Sequence, residues 1–304
     1  MNKERNLNFG LLLRKYKKIF ILIFTLIIGL PAGTAWISRT EVTEADAGLR
    51  YYAFDVGQGD SSLFILPDGK TILVDAGPED AGKKLVKELK KLGVKKIDLL
   101  VATHPHSDHI GGMRRIISNF QIGKIWDSGF ISNSPLQKNF YSTIQNKEIP
   151  FGRPKRGHSE KMGDVLVQVL APARLIRGTK RDANNNCLVM NIKYGSTDFL
   201  MLADMEREQR STVSPLPRAA VLKASHHGSS NGTDISLLKE VRPYFIILSY
   251  GRNNSYGYPH KEVVRAVSSL GIIRLDTKDG TVRIVSDGEN ISYPQNREAG
   301  KNGS

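Results

Sequence analysis

Cysteine is almost absent from this chain, which has a single one, Cys187, among 304 residues. One cysteine excludes an intrachain disulfide, so a packed core has to hold the fold together. Cys187 opens the apolar run 188–190, and we expect it to be a buried thiol with a structural role rather than a catalytic one.

Acidic residues are also in deficit. The chain has 30 Asp and Glu against 44 Lys and Arg, which gives a formal net charge of +14 at pH 7. This excess favours anionic partners such as nucleic acid or acidic lipid, and the alternative is a basic surface that serves only solubility. With 40% hydrophobic residues, the chain can bury a sizeable core in one large domain or two small ones.

After residue 38 the chain has no uncharged stretch long enough to span a membrane. Before it, six basic residues and one Glu in 1–18 precede 20 uncharged residues, about enough for one bilayer crossing. We therefore expect an extracytoplasmic protein, either secreted or anchored to the cell membrane by residues 19–38. The expected segments are a signal peptide or membrane anchor over 1–38, a linker over 39–48, a folded domain over 49–287 and a disordered tail over 288–304.

Histidine is scarce as well, and three of the seven lie within six residues of one another. His104, His106 and His109 follow the apolar stretch 97–102 together with Asp108. Imidazole and carboxylate are ligands that Zn²⁺, Mn²⁺ or Fe ions take. His104 and His106 are two residues apart and can point the same way from an extended loop, while Asp108 and His109 can serve a second ion.

Other polar residues follow apolar strands in the same manner. Asp75 comes after 72–74, Asp204 after 199–203, and the pair His226-His227 after 221–225. Side chains at the ends of strands on one edge of a sheet pair can meet in one cleft. We expect these residues to join the histidine cluster there.

Hairpins and helices alternate through both halves of the chain, with no internal repeat. This alternation predicts an α/β fold in which two sheets pack face to face with helices outside. The apolar periodicity and end signals predict helices over 81–92, 111–119, 134–147 and 261–270.

The pattern H-x-H-x-D-H after an apolar strand resembles the signature of the metallo-β-lactamase superfamily of metal-dependent hydrolases. Two further stretches, F-D-V-G-Q-G-D-S at 54–61 and K-A-S-H-H-G-S-S at 223–230, resemble the corresponding domain of the DNA-uptake protein ComEC and its stand-alone relatives. The resemblance covers about residues 49–287 and implies the αββα sandwich of that superfamily.

The resemblance also implies roles for single residues. The implied ligands of one or two Zn or Mn ions are His104, His106, Asp108, His109, Asp204 and His226. Asp204 would bridge the ions, and Asp75 would support a ligand histidine or orient the loop. We favour His226 over His227 as the ligand because it comes first after the strand, which leaves His227 to face the substrate as a catalytic residue. Asp108 is also expected to orient the attacking water.

One departure leaves the metal and its stoichiometry open. Many superfamily members have a further histidine between the first cluster and the bridging aspartate, where this chain has only His158, in a basic loop. The corresponding zone carries D-A-N-N-N-C at 182–187, which resembles an Asn-rich run of the ComEC-like group. Within it, Asn185 is a candidate substrate contact.

Further substrate contacts are expected in two places. Gln58, Gly59, Asp60 and Ser61 form a glycine-rich turn whose N–H groups suit a phosphate oxygen, unless the turn simply requires glycine. His260 could protonate a leaving group or cap the helix that begins at 261. The basic loop 150–161 could follow a phosphate backbone or be merely solvated.

These patterns favour an exported metal-dependent hydrolase, a phosphodiesterase or nuclease that cleaves DNA through a metal-bound hydroxide. The alternative enzyme is a hydrolase of a small ester, lactone or lactam that uses the same activated water. A third possibility, from another class, is a non-catalytic DNA-tethering protein at the membrane. The retention of so many ligand-type residues speaks against the tether, and the fold alone does not fix the substrate.

Overall fold

The computed structural model describes residues 37–38 and 48–293. The expected signal or anchor segment, the linker and residues 294–304 therefore lie outside the described residues, apart from the short strand at 37–38. Within the described part of the chain, no helix has both the length and the apolar character needed to cross a bilayer.

The described residues fold into strands and helices that alternate along the chain. In chain order they are β1 (Ile37–Ser38), β2 (Leu49–Ala53), β3 (Ser62–Ile65), β4 (Thr71–Val74), α1 (Gly82–Lys91), β5 (Lys96–Ala102), α2 (Ser107–Ile110), α3 (Met113–Asn119), β6 (Gln121–Asp127), α4 (Pro135–Asn146), β7 (Phe151–Gly152), β8 (Ser159–Met162), β9 (Val165–Ala171), β10 (Val189–Tyr194), β11 (Thr197–Met201), α5 (Arg207–Val213), β12 (Val221–Lys223), α6 (Ile235–Val241), β13 (Phe245–Leu248), α7 (Lys261–Ser269), β14 (Ile273–Asp276), β15 (Val282–Ser286) and β16 (Ile291–Ser292).

Two sheets carry these strands. The first has the order β1-β16-β15-β2-β3-β4-β5-β6-β7, and the second has the order β14-β13-β12-β11-β10-β9-β8. Their inner faces bury aromatic and aliphatic side chains, among them Tyr51, Phe64 and Phe199, whose rings lie 4.8–5.6 Å apart. The α/β sandwich of two sheets predicted from the sequence is confirmed.

Helices cover the outer face of each sheet. On the first sheet, α1 and α3 bury Leu85, Leu89 and Ile116 in a second apolar cluster. On the second sheet, α6 and α7 bury Leu238 and Val263 in a third. The resulting order of layers is helix, sheet, sheet, helix, because each amphipathic element has one apolar face to cover.

Parallel pairing aligns the strand ends that matter for the site. Strand β4 runs parallel to β5 in the first sheet, and β11, β12 and β13 run parallel in the second. The carboxyl ends of these strands therefore lie at one edge of the sandwich. That edge receives Asp75, the histidine cluster, Asp204 and the pair His226-His227.

Some boundaries differ from those predicted. The ordered domain does not end at 287, because β16 pairs with β15 and buries Ile291, and Tyr293 is buried in the core. The predicted helix over 111–119 begins earlier and is divided into α2 and α3. Helix α5 was not predicted, because its sequence is polar and only Gln209 and Val213 are buried.

Candidate metal centre

Three of the strand ends bring their candidate residues to the cleft through a sharp turn of the backbone. Asp75, Ala203, His226 and His227 all adopt the left-handed conformation, with φ between 48° and 59°. Residues other than glycine adopt this conformation rarely, because Cβ crowds the backbone. The turns redirect the chain abruptly, so that side chains from separate strands converge.

The first group of ligand-type atoms consists of His104, His106 and Asp204. His104 Nε2 lies 3.0 Å from His106 Nδ1 and 3.6 Å from Asp204 Oδ2. His104 and Asp204 are buried, while His106 is exposed and forms the open side of the group. Ring nitrogens and a carboxylate oxygen gathered this closely form a donor set suited to a divalent ion.

The second group consists of Asp108, His109 and His227. His227 Nε2 lies 3.2 Å from Asp108 Oδ2, and His109 Nε2 lies 3.9 Å from the same oxygen. Asp204 Oδ1 lies 3.3 Å from His109 Nε2 and 3.7 Å from His227 Nε2. The two oxygens of Asp204 thus face one group each, and Asp204 stands between the groups.

Two buried atoms in this arrangement support metal binding. His109 Nε2 and Asp204 Oδ1 are both inaccessible to solvent, and among the described residues neither makes a hydrogen bond, although they lie 3.3 Å from each other as an ion pair. A buried polar atom without a partner costs free energy, which a coordinated cation would remove. The donors of each group also lie within 4.8 Å of one another. The residues present therefore fit a site for one or two metal ions.

Supporting hydrogen bonds fix the ring orientation of two histidines. His109 Nδ1 donates to Asp75 Oδ2 over 2.7 Å, and His227 Nδ1 donates to the carbonyl of Ser249 over 2.9 Å. Thr103 holds Asp75 in turn through its backbone N–H and its hydroxyl, over 2.9 and 2.7 Å. With Nδ1 as the donor, the neutral form of each ring presents its Nε2 lone pair to the centre.

Burial and neighbouring charges shift the pKa values of the residues of the centre in different directions. Burial holds the pKa of His104 well below its usual value, so this ring is neutral and available as a ligand. Burial would raise the pKa of Asp204, but His109, His227 and His226 hold it well below its usual value. Burial likewise disfavours charge on His109, but Asp204, Asp75 and Asp108 raise its pKa well above the usual value. A metal ion at His109 therefore competes with a proton, and binding weakens as the pH falls.

The structure places the two rings of the histidine pair beside different groups. His227, rather than His226, joins Asp108 and His109. His226 borders the first group instead, with Nε2 3.6 Å from Asp204 Oδ2 and 3.3 Å from the Tyr258 hydroxyl, and with Nδ1 3.0 Å from Glu206 Oε1. The choice of His226 as the ligand stays a prediction. Both residues are left-handed, and the ring that lies beside Asp108 and His109 is that of His227.

The turn at residues 57–61 makes internal contacts on one side, while Gly57 and Gln58 line an open cavity together with Arg252 and Lys278. A phosphate contact of the turn stays a prediction. Asp60 N donates to the Asp108 carbonyl over 3.0 Å, and Ser61 Oγ donates to the Asp75 carbonyl over 3.1 Å. A side chain at Gly59 would place Cβ 2.3 Å from the Asp108 carbonyl oxygen, so glycine is required there. Gln58 Oε1 accepts from Gly251 N over 3.3 Å. The turn supports the ligand loop from behind.

Asp60 is paired with a lysine that sequence reasoning missed. Lys223 Nζ lies 2.9 Å from Asp60 Oδ2, and only 2% of the lysine side chain is exposed. Asp60 Oδ1 lies 3.8 Å from His227 Nδ1. The pair joins the turn after β2 to β12 and so ties the two sheets together behind the centre. The apolar sequence around Lys223 does not indicate which acidic residue pairs with it.

Two other candidates lie away from the ligand groups. Asn185 is fully buried and accepts from Gln209 N over 3.1 Å, so it holds α5 in place, and its contact with substrate stays a prediction. His260 Nδ1 accepts from Ser230 N over 3.1 Å and belongs to neither group. His260 is the residue before α7, and its side chain makes no capping hydrogen bond.

Glu206, Asn184 and Arg181 surround His226 and were not predicted. Arg181 Nη1 lies 3.4 Å and Asn184 Nδ2 3.5 Å from His226 Nε2. Asn184 belongs to the Asn-rich run that the sequence singled out, at the position next to the predicted residue. Three consecutive asparagines in a short 3-10 turn (Asn184–Asn186) do not reveal from sequence which one faces the cleft.

An αββα sandwich with two carboxylate-histidine groups at one edge defines a class of metal-dependent hydrolase folds. The family model of the metallo-beta-lactamase superfamily matches residues 54–243, and the chain belongs to that superfamily. The resemblance noted in the sequence is thereby confirmed.

Relatives with competence functions in their names are similar to this chain. ComE operon protein 3 of Bacillus subtilis is 28% identical over 252 residues, which cover 75% of this chain and 32% of that protein. Competence protein ComA of Neisseria gonorrhoeae is 27% identical over 253 residues, covering 82% of this chain and 33% of that protein. The chain spans about a third of the length of these curated relatives.

A solved structure shares the fold. The metallo-beta-lactamase fold protein YhfI from Bacillus subtilis matches with a TM-score of 0.52 at 16% identity. The match covers 78% of this chain and 99% of that one.

The histidine pair offers a direct test of the ligand groups. We expect His227→Asn to lower the metal content of the purified full-length protein, because it removes a donor from the second group, and His226→Asn to leave the metal content unchanged. Asn tolerates the left-handed backbone that both residues adopt, so each variant is the control for the other. Metal per chain is measured by plasma mass spectrometry after dialysis. Loss of metal only in His226→Asn would contradict the assignment.

The buried ion pair predicts a non-additive effect on stability. Lys223→Met leaves the Asp60 carboxylate buried without its partner, and we expect it to lower the free energy of unfolding by about 3–5 kcal/mol. Asp60→Asn combined with Lys223→Met should recover much of that loss. The measurement is urea denaturation at fixed metal concentration. Lys193→Met, which breaks the exposed pair with Asp198, should cost at most about 1 kcal/mol. Equal costs for the two lysines would overturn the argument.

Proposed function

We propose that the protein is a metal-dependent phosphodiesterase that acts on nucleic acid, with DNA as its substrate. The observation that carries the proposal is a set of exposed cations on the loops beside the metal centre, which we call the basic rim. The basic rim consists of Arg153, Lys155, Arg156, Arg174, Arg177, Lys180, Arg181 and Arg207.

The topology explains why the basic rim borders the centre. Strand β9 ends where the loop 172–187 begins, and that loop returns at Leu188, whose N–H donates to the Thr103 carbonyl over 2.9 Å. Arg156 N donates to the Pro172 carbonyl over 2.9 Å, which joins the loop after β7 to the same edge. A polyanion bound to these loops would pass the centre, since phosphate contacts supply affinity and position without reading sequence.

The residues of the centre suit hydrolysis of a phosphodiester. Metal ions bound by the two groups would neutralise charge on a phosphoryl group and lower the pKa of a coordinated water. Asp108 forms the half-buried side of the second group and can orient a water beside it. Asp75 and Thr103 keep the His109 ring fixed, so that the donor set needs little reorganisation.

His226 is our candidate for the proton donor to the leaving oxygen. Glu206 lies 3.0 Å from Nδ1 and can fix the ring, while Nε2 lies 3.6 Å from Asp204 Oδ2 at the border of the first group. A positioned imidazole at this point can transfer a proton to an alkoxide as the bond to phosphorus breaks. The sequence offered this role to His260, which belongs to neither group and instead accepts from Ser230 N.

The relatives support DNA as the substrate, because two of them are named for a competence operon and for competence. The excess of basic residues supports it independently, since a small neutral ester or lactone would not require the basic rim.

We also propose that residues 19–38 direct the protein out of the cytoplasm or hold it at the cell membrane, on the basis of the basic start and the uncharged run. Fractionation of cells that express the full chain should recover it with membranes or the medium. Recovery in the soluble cytoplasmic fraction would contradict this proposal.

Nuclease activity is the decisive measurement. The full chain should cut linear single- or double-stranded DNA with Mn²⁺ or Zn²⁺, and EDTA or Asp108→Ala should abolish cutting. His226→Asn should keep its metal yet cut about 100-fold more slowly or worse, because it lacks the proton donor. Rising salt should weaken DNA binding steeply if the basic rim holds the strand.

Other outcomes separate the alternatives. A folded protein that binds metal but cuts no DNA would favour a small ester, lactone or lactam. Salt-sensitive DNA binding without metal would favour a tether.

A further inference from the structure

Tyr256 is the most exposed of the large apolar side chains in the described part of the chain. Its side chain is 64% exposed, whereas the others range from 37% to 44%. One face of its ring is covered by Tyr258, with centroids 5.6 Å apart and an angle of 10° between the planes. The rest of the ring is presented to solvent.

The stack continues inward to the metal centre. The Tyr258 ring is buried, and its centroid lies 6.0 Å from that of His227, with 29° between the planes. The Tyr258 hydroxyl lies 3.3 Å from His226 Nε2. A series of aromatic rings thus runs from the surface to a member of the second group.

The loop that carries the two tyrosines is held in place. Asn254 Oδ1 accepts from Tyr258 N over 2.9 Å, and Asn254 Nδ2 donates to the carbonyls of Tyr258 and Gly251, each over 3.0 Å. Because the backbone is fixed, the outward ring is oriented before any ligand arrives, which lowers the entropic cost of binding.

We infer that the exposed face of Tyr256 is a stacking site for a base of single-stranded nucleic acid. The inference rests on the proposed function. An exposed, fixed aromatic plane beside a basic rim and a phosphodiester site is the combination that single strands bind, since bases stack on the ring while cations track the backbone. Arg181 contacts His226 Nε2, which also contacts the Tyr258 hydroxyl. A cation and the series of aromatic rings therefore lie together beside the centre.

The stacking site would favour single strands over duplex. Bases inside a duplex are already covered on both faces, so they can reach Tyr256 only after unstacking, which costs free energy. The stacked base would belong to a nucleotide beside the one whose phosphate reacts, because Tyr258 lies between Tyr256 and the centre. Stacking on a ring discriminates poorly among the bases, so we expect little sequence preference.

The test compares binding to a strand that carries bases with binding to a strand that lacks them. Binding of the full-length protein to a fluorescent oligo(dT) and to an abasic deoxyribose-phosphate strand of equal length is measured by anisotropy, with EDTA present to prevent cutting. Tyr256→Ala should weaken oligo(dT) binding about tenfold, whereas the wild type and the variant should bind the abasic strand alike. Tyr256→Phe should retain the wild-type affinity, because it keeps the ring.

Leu270→Ala is the matched control, since Leu270 is an exposed apolar residue that follows α7, at the end of that helix away from the centre. Equal binding of oligo(dT) by Tyr256→Ala and the wild type would overturn the stacking site. Equal losses on both strands would also overturn it, because they would indicate a general change of the loop or a role in binding something other than a base. Failure of the wild type to bind either strand would instead refute the proposed function.

Discussion

The charge of the buried Asp204 carboxylate is the constraint on which the rest of the centre depends. A carboxylate taken out of water needs compensation, and Asp204 has histidines facing both of its oxygens. His104 and His109 follow β5 of the first sheet, whereas His226 and His227, which also face Asp204, follow β12 of the second. Their convergence is possible only because the strand ends meet at one edge. The loops beyond that edge then determine what can approach, and they are basic.

Both sheets contribute to the centre, so its geometry depends on how they pack. Asp75 and the cluster at 104–109 follow strands of the first sheet, whereas Asp204 and His227 follow strands of the second. Between the two sheets lies an apolar core that includes the rings of Tyr51, Phe64 and Phe199. The Lys223–Asp60 pair joins the two sheets close to the centre, where a shift of an ångström would separate the ligand atoms.

Sequence reasoning predicted the layers and most ligand-type residues, because both follow from local rules. Apolar alternation locates strands, and polar residues just after them locate the edge at which they meet. What could not be predicted depended on backbone direction over one or two residues. His226 and His227 are adjacent, and which ring lies beside Asp108 and His109 depends on two left-handed residues. The choice between Asn184 and Asn185 depended on a single turn of 3-10 helix. Lys223 reads as a surface lysine until its partner, 163 positions earlier in the chain, is known.

The left-handed residues at the strand ends lower the stability of the folded state, because each adopts a backbone conformation that is unfavourable for residues other than glycine. Of the seven residues other than glycine with positive φ in the described part of the chain, four lie at the centre. Each costs on the order of 1–2 kcal/mol relative to an ordinary conformation, and a domain of this kind has only about 5–15 kcal/mol of net stability. Glycine at those positions would relieve the strain but would remove the side chains of Asp75, His226 and His227 from the centre. The fold is therefore less stable than its core alone would make it. Selection for thermal stability alone would be expected to replace these left-handed residues of the centre before others.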